Sequence, residues 1–230
     1  MLIIINKNLP EPAKHRLTDF GNILELETKN IVDNYLSGHP DIFFSYVDNK
    51  LIYSPSLPDE IKNILEKHNI ITEPGKTYLK SDYPYCAGYN CLVTNKLIIH
   101  KSEITDPVVK LNCREKTIIN VNQGMTRCST VAITENAFIT SDNGIYNTLS
   151  AHGYEILLVK TEGIQLPGQS YGLFGGTCGV FNNNLFIAGS LDHYIDGKRV
   201  SDFCKRHTIK VIELYDGPLF DGGSILFINN

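Results

Sequence analysis

"VDNKLIYSPS" (residues 47–56) and "VTNKLIIHKS" (residues 93–102) write one phrase twice: an Asn-Lys-Leu-Ile block with a Val two places ahead of it. Anchored on Leu51 and Leu97, the copies lie 46 residues apart. Further on, "TENAFITSD" puts Ala137 in the same slot 40 residues after Leu97, and "NNNLFIAGS" puts Leu185 there after another 48. Looking back, "MLIIINKN" puts Leu2 there, 49 residues ahead of Leu51. Recurrence over tens of residues marks a fold assembled from one repeated supersecondary unit. Five copies, near residues 1–48, 49–94, 95–134, 135–182 and 183–230, fill a single domain over residues 1–230 with almost nothing left over.

Each copy carries the same order of local signals. In "LPDEIKNILEKHN", Ile61, Ile64 and Leu65 fall at helical spacing behind a Pro58-Asp59 start, and "IITE" follows as a short strand. "DNGIYNTLSAHGYEILLV" places Ile145 and Leu149 four apart, ends its helix at Gly153 and continues into a buried strand. "GKRVSDFCKRHTIKVIEL" groups Val200, Phe203 and Cys204 on one face, and "PEPAKHRLTDFGNILEL" closes its helix at Gly21. The third copy, "EITDPVVKLNCREKTIINV", is shortened, and Pro107 makes its helix weak or brief. Every unit therefore reads strand, tight turn, strand, helix, strand. The "DNK" and "TNK" phrases are the turns, where Asn tolerates positive φ.

The composition suits a globular chain: 230 residues, 42% hydrophobic, 20% charged, net charge −4. No basic stripe of the kind nucleic acid requires is present. No run approaches the roughly 20 apolar residues needed to span a bilayer. "MLIIIN" is too short for a secretory signal. Cys86, Cys91, Cys113, Cys128, Cys178 and Cys204 form no Cys-x-x-Cys pair, which favours free thiols in a reducing cytoplasm. The seven histidines make no close pair, so no metal site and no cofactor are expected.

The chain starts on a second strand, since "MLIIIN" matches "KLIIHK", and ends on "GGSILFINN", which matches the first strand in "GGTCGVFNN". Pairing of these two ends would complete the first hairpin and remove exposed sheet edges. Five ββαβ units closed in this way resemble the pentein, or guanidino-group-modifying-enzyme, superfamily over the full chain. "GMTRCSTVAITENAFIT", "GLFGGTCGVF" and "GPLFDGGSILFI" look like an uncharacterised bacterial domain-of-unknown-function family with that fold. The expected class is thus α+β: a five-fold pseudosymmetric pentein β/α-propeller. The resemblance implies a narrow central pore reached by the loops "SGHPDIF", "YPYCAGYN", "GMTRCST", "SYGLFGGT" and "GPLFDGGS".

Catalytic penteins, as the resemblance implies, attack a guanidinium carbon with a Cys thiolate, use a His as acid and base, and clamp the cation with carboxylates. This chain departs from that pattern. Its terminal run "DGGSILFINN" has Ile225, Leu226 and Phe227 where the Cys is expected, and "SLDHYID" replaces the His-x-Asp stretch. Cys128, next to Arg127, and Cys178, past Gly175 and Gly176, are the candidate nucleophiles, with His193 as acid/base. A small guanidino or amino-acid-like ligand would meet Asp142, Tyr171, Asp192, Asp221, Gly222, Gly223 and Ser224, with Tyr83, Tyr85 and Tyr89 at the pore mouth. The other reading is a non-catalytic pentein, like the ribosome anti-association factor of that fold, acting through a protein-facing surface. Reading "GLFGG" as a dinucleotide fingerprint lacks the strand–GxGxxG–helix context.

Overall fold

The computed structural model describes residues 1–229. Its strands in chain order are β1 (Leu2–Asn6), β2 (Asn22–Leu26), β3 (Phe44–Val47), β4 (Lys50–Tyr53), β5 (Thr72–Pro74), β6 (Leu92–Val93), β7 (Leu97–His100) and β8 (Thr117–Asn120). They continue with β9 (Thr130–Ala132), β10 (Ala137–Thr140), β11 (Glu155–Leu158), β12 (Ile164–Gln165), β13 (Cys178–Phe181), β14 (Asn184–Ile187), β15 (Lys210–Glu213), β16 (Leu219–Phe220) and β17 (Leu226–Ile228). Fifteen of them form five three-stranded sheets, β17-β1-β2, β3-β4-β5, β6-β7-β8, β9-β10-β11 and β13-β14-β15. In each sheet the middle strand runs antiparallel to the first and parallel to the third.

A parallel third strand requires a crossover, and a helix supplies it each time. These helices are α1 (Glu11–Leu17), α3 (Asp59–Lys67), α4 (Pro107–Asn112), α6 (Asn143–Ala151) and α7 (Gly197–Arg206). α4 has 6 residues against 10 in α7, in line with the expected shortening. Pro107 starts that helix rather than weakening it. It sits in the first turn, where its missing N–H has no helical partner, behind Asp106, whose carboxylate accepts the Val108 N–H at 2.8 Å.

The anchor residues Leu2, Leu51, Leu97, Ala137 and Leu185 all lie on middle strands and are all buried. These strands read as continuous apolar runs because a neighbouring strand flanks each edge and a helix packs beside them. β1, "LIIIN", is buried at every position. The third strands, at the periphery, are half-exposed.

Two hairpins turn as the sequence predicts. Asp48-Asn49 (φ 47° and 65°) and Asn182-Asn183 (φ 47° and 58°) take positive φ at both central positions, which matches the strand twist. The Thr94-Asn95 turn does not use positive φ. Thr94 Oγ1 accepts the Leu97 N–H at 3.1 Å and Glu135 accepts the Asn95 N–H at 3.1 Å, so side chains hold the reversal instead.

Three single helical turns carry the chain from a loop into a first strand: α2 (Pro40–Phe43), α5 (Thr126–Ser129) and a 3₁₀ turn at Phe174–Thr177. They are too short for a periodic signal in sequence, as is the parallel pair β12-β16. Among the described residues no helix is long and apolar enough to cross a membrane.

The chain's two ends pair antiparallel, with Leu2 opposite Ile228, Ile3 opposite Phe227 and Ile4 opposite Leu226. Ile228 is fully buried in that pair. Ile228→Ala is expected to lower the unfolding free energy by about 3 kcal/mol. Urea denaturation followed by circular dichroism measures it, and an unchanged midpoint would show that the terminal strand contributes nothing.

Candidate functional site

The residue facing each anchor across its hairpin is Tyr46, Ile228 or Val180 in three sheets, and register places Thr94 and Ile133 in the other two. Counting back the same distance from each lands on Asp41, Tyr89, Cys128, Gly175 and Gly223. Four of these lie in one buried cluster; in the third unit the adjacent Asn90 takes part instead of Tyr89. The cluster is where the five glycine- and aromatic-rich loops meet.

Cys128 Sγ lies 3.1 Å from both carboxylate oxygens of Asp41. Ser224 Oγ donates to the same carboxylate and lies 3.2 Å from the Gly175 carbonyl. Asn90 fixes the geometry. Its Oδ1 accepts the Arg127 and Cys128 N–H groups at 2.8 and 3.1 Å. That leaves Nδ2 to donate to Cys128 Sγ at 3.1 Å and to the Asp41 carbonyl at 3.1 Å. A ring nitrogen of His39, Cys128 Sγ and an Asp41 oxygen all lie within 4.8 Å of one another. His39 Nδ1 is buried without a hydrogen-bond partner among the described residues.

Glycine makes this approach feasible. A Cβ on Gly175 would sit 2.2 Å from the Arg127 carbonyl oxygen, and one on Gly176 would sit 1.9 Å from Asp221 Oδ1. Gly223, at φ +76°, would drive a Cβ to 2.3 Å from His39 Cβ.

Asp41 and Asp221 are both buried, and among the described residues neither forms a salt bridge with a Lys or Arg. Asp221 accepts the Leu173 N–H at 2.8 Å and the Gly223 N–H at 3.0 Å. Burial nonetheless holds its carboxyl above the usual carboxylate range, with Asp41 adding like-charge repulsion. Cys128 is raised well above an ordinary thiol, first by burial and then by the negative charges of Asp41 and Asp221. In the free protein it is a thiol donating to a carboxylate.

The other residues singled out in the sequence fall as follows. Arg127 does not face the thiol. Its guanidinium donates to the carbonyls of Gly175 (2.9 Å) and Cys178 (3.0 Å), so it cross-links the fourth and fifth units without holding Cys128 in its thiolate form. Cys178 lies at the start of β13, buried near the Phe174 and Gly175 carbonyls, with its thiol pushed up to about 12 by burial. The Gly222 N–H donates to the Gly176 carbonyl at 3.1 Å. His193 is not part of the cluster: it is exposed and pairs with Asp216 at 2.6 Å. Asp142 caps α6, accepting the Ile145 N–H at 2.8 Å, a structural role that leaves it outside the cluster. Asp192 borders an outer groove beside Lys198, and Tyr171, Tyr83 and Tyr85 are exposed, whereas Tyr89 is buried and bonds Asp106. His39, Asp41 and Asn90 were not named from the sequence, although their loops were. The register count from the anchors finds Asp41 directly.

One side of the junction opens into a cavity of about 890 Å3, lined by residues from all five first strands together with Asp41 and Arg127.

Sheets of this order give an α+β fold that matches pentein-fold enzymes of known structure. C. jejuni agmatine deiminase superposes with a TM-score of 0.59 at 10% identity, over 93% of this chain and 87% of that one. DDAH from Pseudomonas aeruginosa, complexed with citrulline, gives 0.56 at 10% identity, over 92% and 91%. The amidinotransferase SxtG from Microseira wollei gives 0.54 at 9% identity, over 99% and 94%. Identities this low establish the fold alone. The chain belongs to a family of unknown function (DUF6873), matched over residues 4–226. No curated protein matches it in sequence.

All six cysteines are buried and unpaired, and all six thiols are raised, chiefly by burial. A thiol whose folded pKa is raised stabilises the fold fully below the unfolded value and loses that contribution as pH rises above it. Stability should therefore fall above pH ~8.5, where the unfolded chain's thiols ionise first. Iodoacetamide at neutral pH should leave the native protein unlabelled while the urea-unfolded chain takes six labels, counted by intact mass. Rapid native labelling of Cys128 would contradict this burial.

Proposed function

We propose that the five sheets form a closed five-fold propeller whose axis runs through the Asp41–Cys128–Ser224 cluster. We further propose that this cluster binds, and chemically modifies, a small guanidino compound. The observation that carries the reading is Cys128 Sγ at 3.1 Å from both Asp41 oxygens, with His39 in the same buried cluster. A guanidinium is planar and donates in parallel pairs, which suits a carboxylate whose two oxygens face the same space. Asp221 supplies the second negative charge. The likeness to agmatine deiminase, DDAH and an amidinotransferase supports a guanidino substrate class.

The chemistry follows from reversal of charge. The resting thiol is held protonated first by burial and then by Asp41 and Asp221; a bound cation offsets the negative charge and lowers the thiol pKa. Cys128 then passes its proton to His39 or Asp41 and its sulfur forms a bond to the guanidinium carbon. The carbon–nitrogen bond to the leaving amine breaks, and that amine departs with the proton. Water attacking the resulting S-amidino adduct releases the ureido product and restores the thiol; an amine in place of water completes an amidino transfer. His39 takes the role that the sequence alone gave to His193. Six unpaired thiols fit a reducing cytoplasm.

The raised thiol gives a specific ground for a second reading, a pentein that binds a cation at this cluster without attacking it. One comparison separates the two. Cationic chloroacetamidine and neutral chloroacetamide deliver the same alkylating carbon, but only the first resembles a guanidinium. Chloroacetamidine is expected to alkylate Cys128 at least about tenfold faster, a gap of about 1.4 kcal/mol in barrier. Asp41→Asn is expected to erase the advantage. Equal slow rates for both reagents, measured by peptide mass spectrometry, would overturn the nucleophile assignment and leave binding alone.

A further inference from the structure

Three side chains at the junction have the donor chemistry of a metal site. Cys128 offers sulfur, His39 a ring nitrogen and Asp41 a carboxylate oxygen, all buried and all within 4.8 Å of one another. We propose that His39, Asp41 and Cys128 bind one Zn2+ ion through three protein ligands. The proposal does not rest on the guanidino reading. A zinc-bound sulfur is not free to attack carbon, so the two roles belong to different states of the same site.

Four observations carry it. His39 Nδ1 is buried with no hydrogen-bond partner among the described residues, a cost that ligation through that nitrogen would relieve. The ring is set in place by its backbone: Pro40 follows it, and Gly223 gives it room that no other residue would. Tetrahedral zinc holds S, N and O donors about 3.5 Å apart. The observed 3.1 Å from Cys128 Sγ to each Asp41 oxygen, and the 4.8 Å limit on the set, come within side-chain adjustment of that spacing.

The outer contacts are also those of a metal centre. Each anionic ligand already receives a neutral donor: Asn90 Nδ2 on Cys128 Sγ and Ser224 Oγ on Asp41 Oδ2. Such partners orient metal ligands and are needed for tight binding. Asn90 cannot turn away, because its Oδ1 holds two backbone N–H groups. A divalent cation with one thiolate and one carboxylate is neutral, which removes the charge imbalance around Asp41. A mixed S, N, O set suits zinc and disfavours magnesium and calcium. Three protein ligands leave a fourth position for water or a substrate atom, as in catalytic zinc sites.

The test uses the full chain, stripped with chelator under reducing conditions and titrated anaerobically with Co2+, then Zn2+. Wild-type protein is expected to bind one Co2+ per chain, with a thiolate-to-cobalt charge-transfer band in the near ultraviolet that Zn2+ abolishes. Binding displaces the thiol proton, so affinity should rise with pH. Cys128→Ser should lose the band. His39→Gln and Ser224→Ala should weaken binding by about tenfold or more. Failure of the wild-type protein to take up stoichiometric Co2+ overturns the proposal whatever the variants do, as does a band that persists in Cys128→Ser. With the alkylation comparison also made on chelator-stripped protein, either proposal fails or survives without deciding the other.

Discussion

Crowding where the five loops meet governs the rest of the structure. At that junction backbone meets backbone at distances that leave no space for a Cβ: Gly175 against the Arg127 carbonyl, Gly179 against the Ile225 carbonyl, Gly223 against His39. Glycine is costly in conformational entropy, and these positions accept that cost because any side chain would push the units apart. Gly175 and Gly223 lie in the fifth unit's approach and the terminal run, while Asp41, Asn90 and Cys128 come from the approaches to the second, third and fourth units. Small backbone on one side of the junction is what lets polar side chains from the other side reach its centre.

Electrostatics follow from the same crowding. Groups brought that close lose water, and a buried carboxylate must then find a partner or take up a proton. Asp221 turns to backbone N–H groups and is still raised. Asp41 turns to the Cys128 thiol and the Ser224 hydroxyl, two donors that are neutral. The one guanidinium near at hand, that of Arg127, is held by carbonyl oxygens of the fifth unit. The cluster is therefore hydrogen-bonded, and among the described residues no Lys or Arg forms a salt bridge with either of its carboxyl groups.

The architecture was legible in the sequence because it is written periodically. The Leu51 and Leu97 phrases recur with the pitch of a unit, and the helices, third strands and terminal pairing follow from patterns of burial that repeat with them. The site was legible by loop and not by residue. Cys128, Asp221, Gly175, Gly176, Gly223 and Ser224 could be named because glycine and cysteine stand out in a loop. Asp41 and His39 could not, since "HPD" reads locally as the start of a helical turn, and that is what its backbone does. Its chemistry depends on Cys128, 87 residues away, and no local pattern encodes that distance. His193 failed for the opposite reason. It resembled a motif in spelling, but it lies in a 3₁₀ turn ahead of α7, an exposed position on the unit's outer side.

The register of the repeats also explains how a sulfur reaches the junction without a cysteine in the terminal run. The slots that Asp41, Cys128, Gly175 and Gly223 occupy are equivalent by their pairing to the anchors, so four of the five units point the same backbone position at one junction. A functional group moved from one unit's slot to another's approaches the same centre from a different direction. Here the terminal run offers Ser224, a hydroxyl that orients Asp41, while the fourth unit offers the sulfur. In a fold of repeated units, a side chain that one unit's slot lacks can be supplied from the slot of another. For a fold of this kind the informative comparison is between equivalent slots of its units, before it is between aligned positions along the chain.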